Sequence, residues 1–146
     1  MELADTSVWA RRRQPAIRVW FETGILEGEI WLCDMVAMEL LHSASTPEIY
    51  AALHADLRAM PWLHMDMKDW DRALQVQALL AAQGNQLHRL KPSDLLIAAC
   101  AERYDIQLVH YDRDYDTIAG VTGQSVRWVA PRGNLDRPRQ DEFRQE

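Results

Sequence analysis

Five acids stand where a folded chain can bring them together: Asp5, Glu39, Asp94, Asp112 and Asp114. Asp5 follows the apolar stub Leu3-Ala4. Asp112 follows an apolar run at 106–111. Asp94 comes two residues after Pro92, at the head of an alanine-rich run. Glu39 lies one turn into an apolar segment that opens at Asp34. Carboxylates gathered at one point suit hard divalent ions such as Mg²⁺ or Mn²⁺, which prefer oxygen ligands. A bound ion of this kind lowers the pKa of its water and neutralises charge on phosphorus oxygens, the chemistry of phosphodiester hydrolysis. Without the ion the acids repel one another and some of their pKa values rise.

Each acid also has an ordinary reading. Asp5 can simply end a strand, and Asp94 can be a first-turn acid facing a helix dipole. Glu39 can lie on a solvated helix face. Asp112, Asp114 and Asp116 suit a turn by residue type alone. The chain has 22 acids and a net charge of −6, so spacing by itself does not single out a site. The net charge also argues against a general nucleic-acid binder, which should be basic. Local cations offset it: Arg11, Arg12 and Arg13 near the start, and His88, Arg89 and Lys91 just before Asp94. A solvated face explains them; contact with RNA phosphates is the functional alternative. Arg113 sits between Asp112 and Asp114 and screens them.

The elements that must position these acids alternate between short apolar runs and helical patterns, an α/β signature. Leu3-Ala4 ends a short first strand. Pro15 opens a helix with Ile17, Trp20, Phe21 and Ile25 on one face, and Gly28 stops it. Ile30 to Cys33 reads as a strand, and Asp34 as the N-cap of a helix to about His42. Thr46-Pro47 starts a helix carrying Ile49, Leu53 and Leu57. A weak strand follows at 62–65, then a helix from about Asp69 to Ala82 with Gly84-Asn85 behind it. Pro92 starts a helix to about Tyr104. Strands follow at 106–111 and 126–129.

With 146 residues the chain suits one domain, assigned to 1–130. From Pro131 to residue 146 the composition turns polar, which reads as a mobile or partner-ordered tail. No run approaches ~18 apolar residues, so no membrane span is expected. The start has no secretory pattern. Cys33 and Cys100 each sit in an apolar run and read as buried free thiols, suiting a reducing cytoplasm. The five histidines show no zinc spacing, and the six tryptophans are scattered as core or interface residues. There is no phosphate-binding loop, dinucleotide fingerprint or nucleophile elbow.

Taken in order, three segments resemble the PIN-domain ribonuclease family. LADTSVW at 3–9 is similar to the family's opening turn. MVAMELL at 35–41 is similar to its Glu-bearing helix. PSDLLIAACAERYDIQLVHYDRDYDTIAG at 92–120 carries the specific part of the likeness: an Asp opening an alanine-rich helix, a strand, then an acid-rich turn ending in an aromatic. The resemblance implies a three-layer α/β fold with a mostly parallel five-stranded sheet of order 3-2-1-4-5. It implies metal ligation by Asp5, Glu39, Asp94 and Asp112, with Asp114 a further acid and Thr6 orienting a carboxylate or water. The size resembles VapC-type toxins of toxin–antitoxin pairs. That likeness implies a Mg²⁺- or Mn²⁺-dependent endoribonuclease cutting tRNA or ribosomal RNA, a homodimer, and a VapB-type antitoxin as partner. The first strand is shorter than is usual in the family. The rival is a catalytically inert PIN-like module that binds RNA or protein; an intact acidic quartet argues against it. A phosphoacceptor signalling domain needs a late Lys, whereas the lysines here are Lys68 and Lys91.

Overall fold

The computed structural model describes residues 1–138. Five strands, β1 (Glu2–Ala4), β2 (Ile30–Cys33), β3 (Trp62–Leu63), β4 (Gln107–His110) and β5 (Val126–Trp128), form one sheet in the order β3-β2-β1-β4-β5. Every pairing is parallel. Parallel strands are covered on both faces, so they need near-continuous apolar sequence. Leu3, Ala4, Leu32, Cys33, Leu108 and Val109 meet that need and are buried. The first strand has only three residues, yet it lies between β2 and β4. The Asp5 amide continues its ladder by donating to the Val109 carbonyl at 2.9 Å. The strand order reverses at β1, and in open α/β sheets ligands bind beyond the carboxyl ends of the strands at such a point.

Among the described residues seven α-helices accompany the sheet: α1 (Thr6–Trp9), α2 (Pro15–Leu26), α3 (Asp34–His42), α4 (Pro47–Arg58), α5 (Met67–Ala82), α6 (Pro92–Arg103) and α7 (Asp114–Thr122). In α2, Ile17 and Phe21 face the core. Gly24 lies against β2 so closely that a Cβ there would meet the Ile30 side chain at 2.8 Å. Thr46 caps α4 by accepting from the Ile49 amide. α6 differs from the rest: every residue from Asp94 to Ala101 is buried. A helix apolar all round belongs inside the molecule. Its small side chains let α5 and α7 pack closely on it.

Several local expectations need correction. α5 begins at Met67, because Asp66 caps it in a reciprocal box with Asp69. That box leaves Asp69 wholly buried, and Arg103 meets both of its oxygens at 2.8 Å. Asp34 is not an N-cap. It lies inside the first turn of α3, and its carboxylate instead accepts from Trp62 Nε1 (2.9 Å) and the Met65 amide (2.5 Å). The side chain thereby ties α3 to β3. The strand expected at 62–65 is only Trp62–Leu63, since that carboxylate draws the following backbone out of the ladder. The turns after Asp5 and Asp112 are helical, as α1 and α7.

The polar stretch from Pro131 is not loose over its first residues. Leu135 is buried, and the Tyr111 hydroxyl accepts from the amides of Gly133 (2.7 Å) and Leu135 (3.0 Å). Gln14 makes a two-way pair with the Asp136 backbone. One apolar side chain and a row of backbone partners are enough to dock it. The rest of the expected tail, 139–146, lies outside the described residues.

Candidate metal centre

The acids converge at the carboxyl ends of β1 and β4. Asp5 leaves β1 and serves as N-cap of α1, with Oδ2 accepting from the Ser7 amide at 2.9 Å. Asp112 leaves β4, and its Oδ1 accepts from the Asp114 amide at 2.9 Å. Asp94 comes from the first turn of buried α6, where the helix dipole favours a negative charge. Glu39 comes from α3 and accepts from Thr6 Oγ1 at 3.1 Å. One carboxylate oxygen each from Asp94, Asp112 and Asp114 lies within 4.8 Å of the others. Asp5 and Glu39 stand outside that tight trio and flank it. Asp5 is joined to Asp94 through the Tyr115 hydroxyl, which is 2.6 Å from Asp5 Oδ1 and 3.3 Å from Asp94 Oδ1.

Burial and mutual repulsion set the electrostatics. Asp94, 6% exposed, has its pKa pushed up to about 7, first by burial and then by the Asp5 and Asp112 charges. Burial also raises Glu39, against the hydrogen bond from Thr6, and Asp5 adds to the rise. Burial and Asp112 raise Asp114, against Arg113 and Lys91. Asp94 Oδ2 is buried without a hydrogen-bond partner. An orphaned carboxylate oxygen inside a protein is costly unless a cation meets it. The all-oxygen donor set and this orphan fit a hard divalent ion.

The basic residues divide. Lys91 lies close enough for its charge to act on Glu39, Asp94 and Asp114. Arg11 stacks over the Tyr111 ring at 4.6 Å, next to Asp112 in sequence, and donates to the Ser7 carbonyl. Arg12 and Arg13 instead line a cavity of about 550 Å³ between α2 and α4, with Trp9, Phe21, Leu53 and Leu57. Arg89 donates to Gln86.

Three supporting residues are absent from the sequence-based set. Ser7 presents its amide to Asp5 and accepts from the Tyr111 amide through Oγ, tying α1 to the end of β4. His110, fully buried, accepts from the Asp112 amide through Nδ1. With Nδ1 as acceptor the neutral ring carries its proton on Nε2, which faces Asp116 Oδ1 at 3.7 Å. Burial lowers its pKa, against the surrounding acids. Tyr115 packs on His110 and sends its hydroxyl under the acids. The adjacency HYDRDY held the signal, since a strand end followed by a helix start puts these side chains around one turn.

Known proteins are similar to this chain over most of its length. The PIN-domain family profile matches residues 3–121. Ribonuclease VapC18 of Mycobacterium tuberculosis is 36% identical over 132 residues, covering 90% of this chain and 96% of that protein. Ribonuclease VapC51 of the same organism is 35% identical over 134 residues, covering 92% and 96%. Among solved structures, the DNA-bound VapBC of Salmonella typhimurium superposes with a TM-score of 0.68 at 21% identity, covering 89% of this chain and 100% of that one. That last likeness concerns the fold. The profile spans the acids from Asp5 to Asp114 and the two relatives align over nine-tenths of the chain, so this protein belongs to the PIN-domain family.

Proposed function

We propose that the protein is a Mg²⁺- or Mn²⁺-dependent endoribonuclease, the toxin of a type II toxin–antitoxin pair. The observation that carries the reading is the convergence of Asp94, Asp112 and Asp114, with one Asp94 oxygen left without a donor. Asp5, Glu39, Asp94 and Asp112 are the ligands in this reading, and Asp114 assists. A divalent ion held there supplies an activated water and positive charge beside the scissile phosphate. The remaining work belongs to the chain. Ser7 and Tyr115 orient Asp5, and Thr6 orients Glu39. Glu39, partly buried and held by Thr6 at Oε1, adds its carboxylate to the ligand set from the α3 side. Lys91 places a cation near Glu39, Asp94 and Asp114, where it meets the phosphates of an RNA backbone. Arg11, beside Tyr111, is a second phosphate contact; Arg89 continues the basic edge, and Arg12 and Arg13 lie further off in their cavity.

The names of VapC18 and VapC51 support RNA as substrate, with tRNA or ribosomal RNA the expected class. A VapB-type antitoxin is the expected partner, set against the acids by charge complementarity. The toxin acts as a homodimer, in the cytoplasm; the buried free thiols Cys33 and Cys100 suit that compartment. No helix among the described residues is long and apolar enough to cross a membrane. The test is cleavage of structured RNA with Mg²⁺, with EDTA, and by Asp94→Asn. Chelation should abolish cleavage. The variant should lose more than the roughly 10–100-fold that removal of a supporting partner costs. Cleavage surviving either change rejects the mechanism.

A further inference from the structure

The Tyr115 side chain, although neutral, reaches two of the acids, Asp5 and Asp94. Its ring is fully buried in the first turn of α7, packed on His110 with centroids 5.2 Å apart. Its amide is held by the Asp112 carbonyl at 3.2 Å. The residue is therefore anchored to the turn that carries Asp112 and Asp114. Its hydroxyl reaches across to the other side of the cluster, between β1 and α6. A phenol has one proton to donate. At 2.6 Å from Asp5 Oδ1 the contact has the length of an O–H donating to a carboxylate, so the proton belongs there. Asp94 Oδ1 lies 3.3 Å from the same oxygen, so the hydroxyl fills the space between the two carboxylates and keeps them from closing on each other.

Asp5 is consequently held at both oxygens, by the Ser7 amide at Oδ2 and by Tyr115 at Oδ1. A carboxylate held at both ends cannot rotate to follow an ion. Packing alone does not require this hydroxyl, since an aromatic ring fills the same space without it. A lone buried O–H would carry a desolvation cost, and the acids are what offset it.

We propose that Tyr115 is a positioning residue that presets Asp5 and its distance from Asp94, and so selects a small octahedral ion over a larger adaptable one. Mg²⁺ demands near-ideal geometry at short distances, whereas Ca²⁺ accepts irregular ligand sets. A preset pair of carboxylates therefore favours Mg²⁺ and Mn²⁺, and a relaxed pair loses that preference. The inference rests on the metal reading above and adds the source of its ion discrimination.

The test is Tyr115→Phe, which keeps the ring and removes the O–H. Binding of Mn²⁺, Mg²⁺ and Ca²⁺ to EDTA-stripped protein is measured by calorimetry, with wild type and Asp94→Asn alongside. The expected result is Mn²⁺ and Mg²⁺ binding weakened about 10-fold or more. Ca²⁺ binding should change less than about 3-fold, so that the Mg²⁺-to-Ca²⁺ ratio falls. Equal loss for all three ions, or no loss, overturns the proposal. Wild type that binds no divalent ion overturns the metal reading itself, a distinct outcome. Should Tyr115→Phe fail to fold, wild-type protein labelled at tyrosine Cζ gives the second measurement. Phe substitutions at Tyr50, Tyr104 and Tyr111 assign the remaining signal to Tyr115. That signal should shift on Mg²⁺ addition more than on Ca²⁺ addition; identical shifts overturn the proposal.

Discussion

Asp94 carries the sharpest consequence at the scale of single residues. Its pKa, about 7 in the folded chain, lies above the ordinary 3.8 expected when unfolded. The metal-free native state therefore holds a proton that the unfolded chain has released. Stability from this group is complete below 3.8 and is lost as pH rises through about 7. Glu39 and Asp114 shift in the same direction. His110 opposes them: its pKa is lowered from 6.5, so its contribution grows as pH rises toward that value. The difference between wild type and Asp94→Asn isolates Asp94. In EDTA, the variant's stability advantage by urea titration should grow from pH 5 to pH 8. Mg²⁺ affinity of the wild type should rise across the same window, because the ion competes with that proton. An advantage independent of pH would mean that Asp94 is already ionised throughout.

At the scale of elements, two attachments keep the site's supports in place. Arg103 at the end of α6 neutralises Asp69 at the start of α5 and also donates to the His64 carbonyl. Arg103→Ala strands a fully buried carboxylate and should cost about 3 kcal/mol, the lower end for a broken buried pair, since the guanidinium is partly exposed. Replacing both partners, Arg103→Met with Asp69→Leu, should recover part of that loss in urea denaturation. The second attachment is the segment after Pro131, which fastens to Tyr111 immediately before Asp112. Leu135→Ala removes its one buried apolar anchor and should cost about 2 kcal/mol. It should also expose amides 133–135 to faster hydrogen exchange. Unchanged exchange there would mean that the backbone bonds hold the segment without Leu135.

At the scale of the whole molecule, the proposed ion would couple its binding to stability. Repelling carboxylates are gathered at the edge of a sheet that is stable only when both faces are covered. An ion binding the native state alone, at 100 times its Kd, adds about 2.7 kcal/mol. For a chain of this size that is a rise in Tm of roughly 8 °C, at about 3 °C per kcal/mol. Differential scanning calorimetry with EDTA and then Mn²⁺ measures it, and Asp94→Asn should lose most of the rise. A Tm indifferent to Mn²⁺ in the wild type would remove the ion from the account.

Local physics made the elements and the principal acids legible in the sequence. Apolar runs of strand length, Pro at helix starts and Thr46 as a cap are short-range signals, and each reappears in the structure. The order of Asp5, Glu39, Asp94 and Asp112 along the chain, with the 92–120 pattern, carries the resemblance to a family, and that resemblance implies the sheet order. The tertiary structure decided what depends on contacts between distant residues. Asp34 prefers Trp62 and Met65 to its own helix because that helix end lies beside β3. The segment after Pro131 docks because Tyr111 presents a hydroxyl acceptor to its amides. Tyr115 meets Asp5, a partner 110 positions away, because β1 and β4 are neighbours in the sheet. Hydrogen bonds across such separations exist only once the strands are paired, and no run of neighbouring residues encodes them.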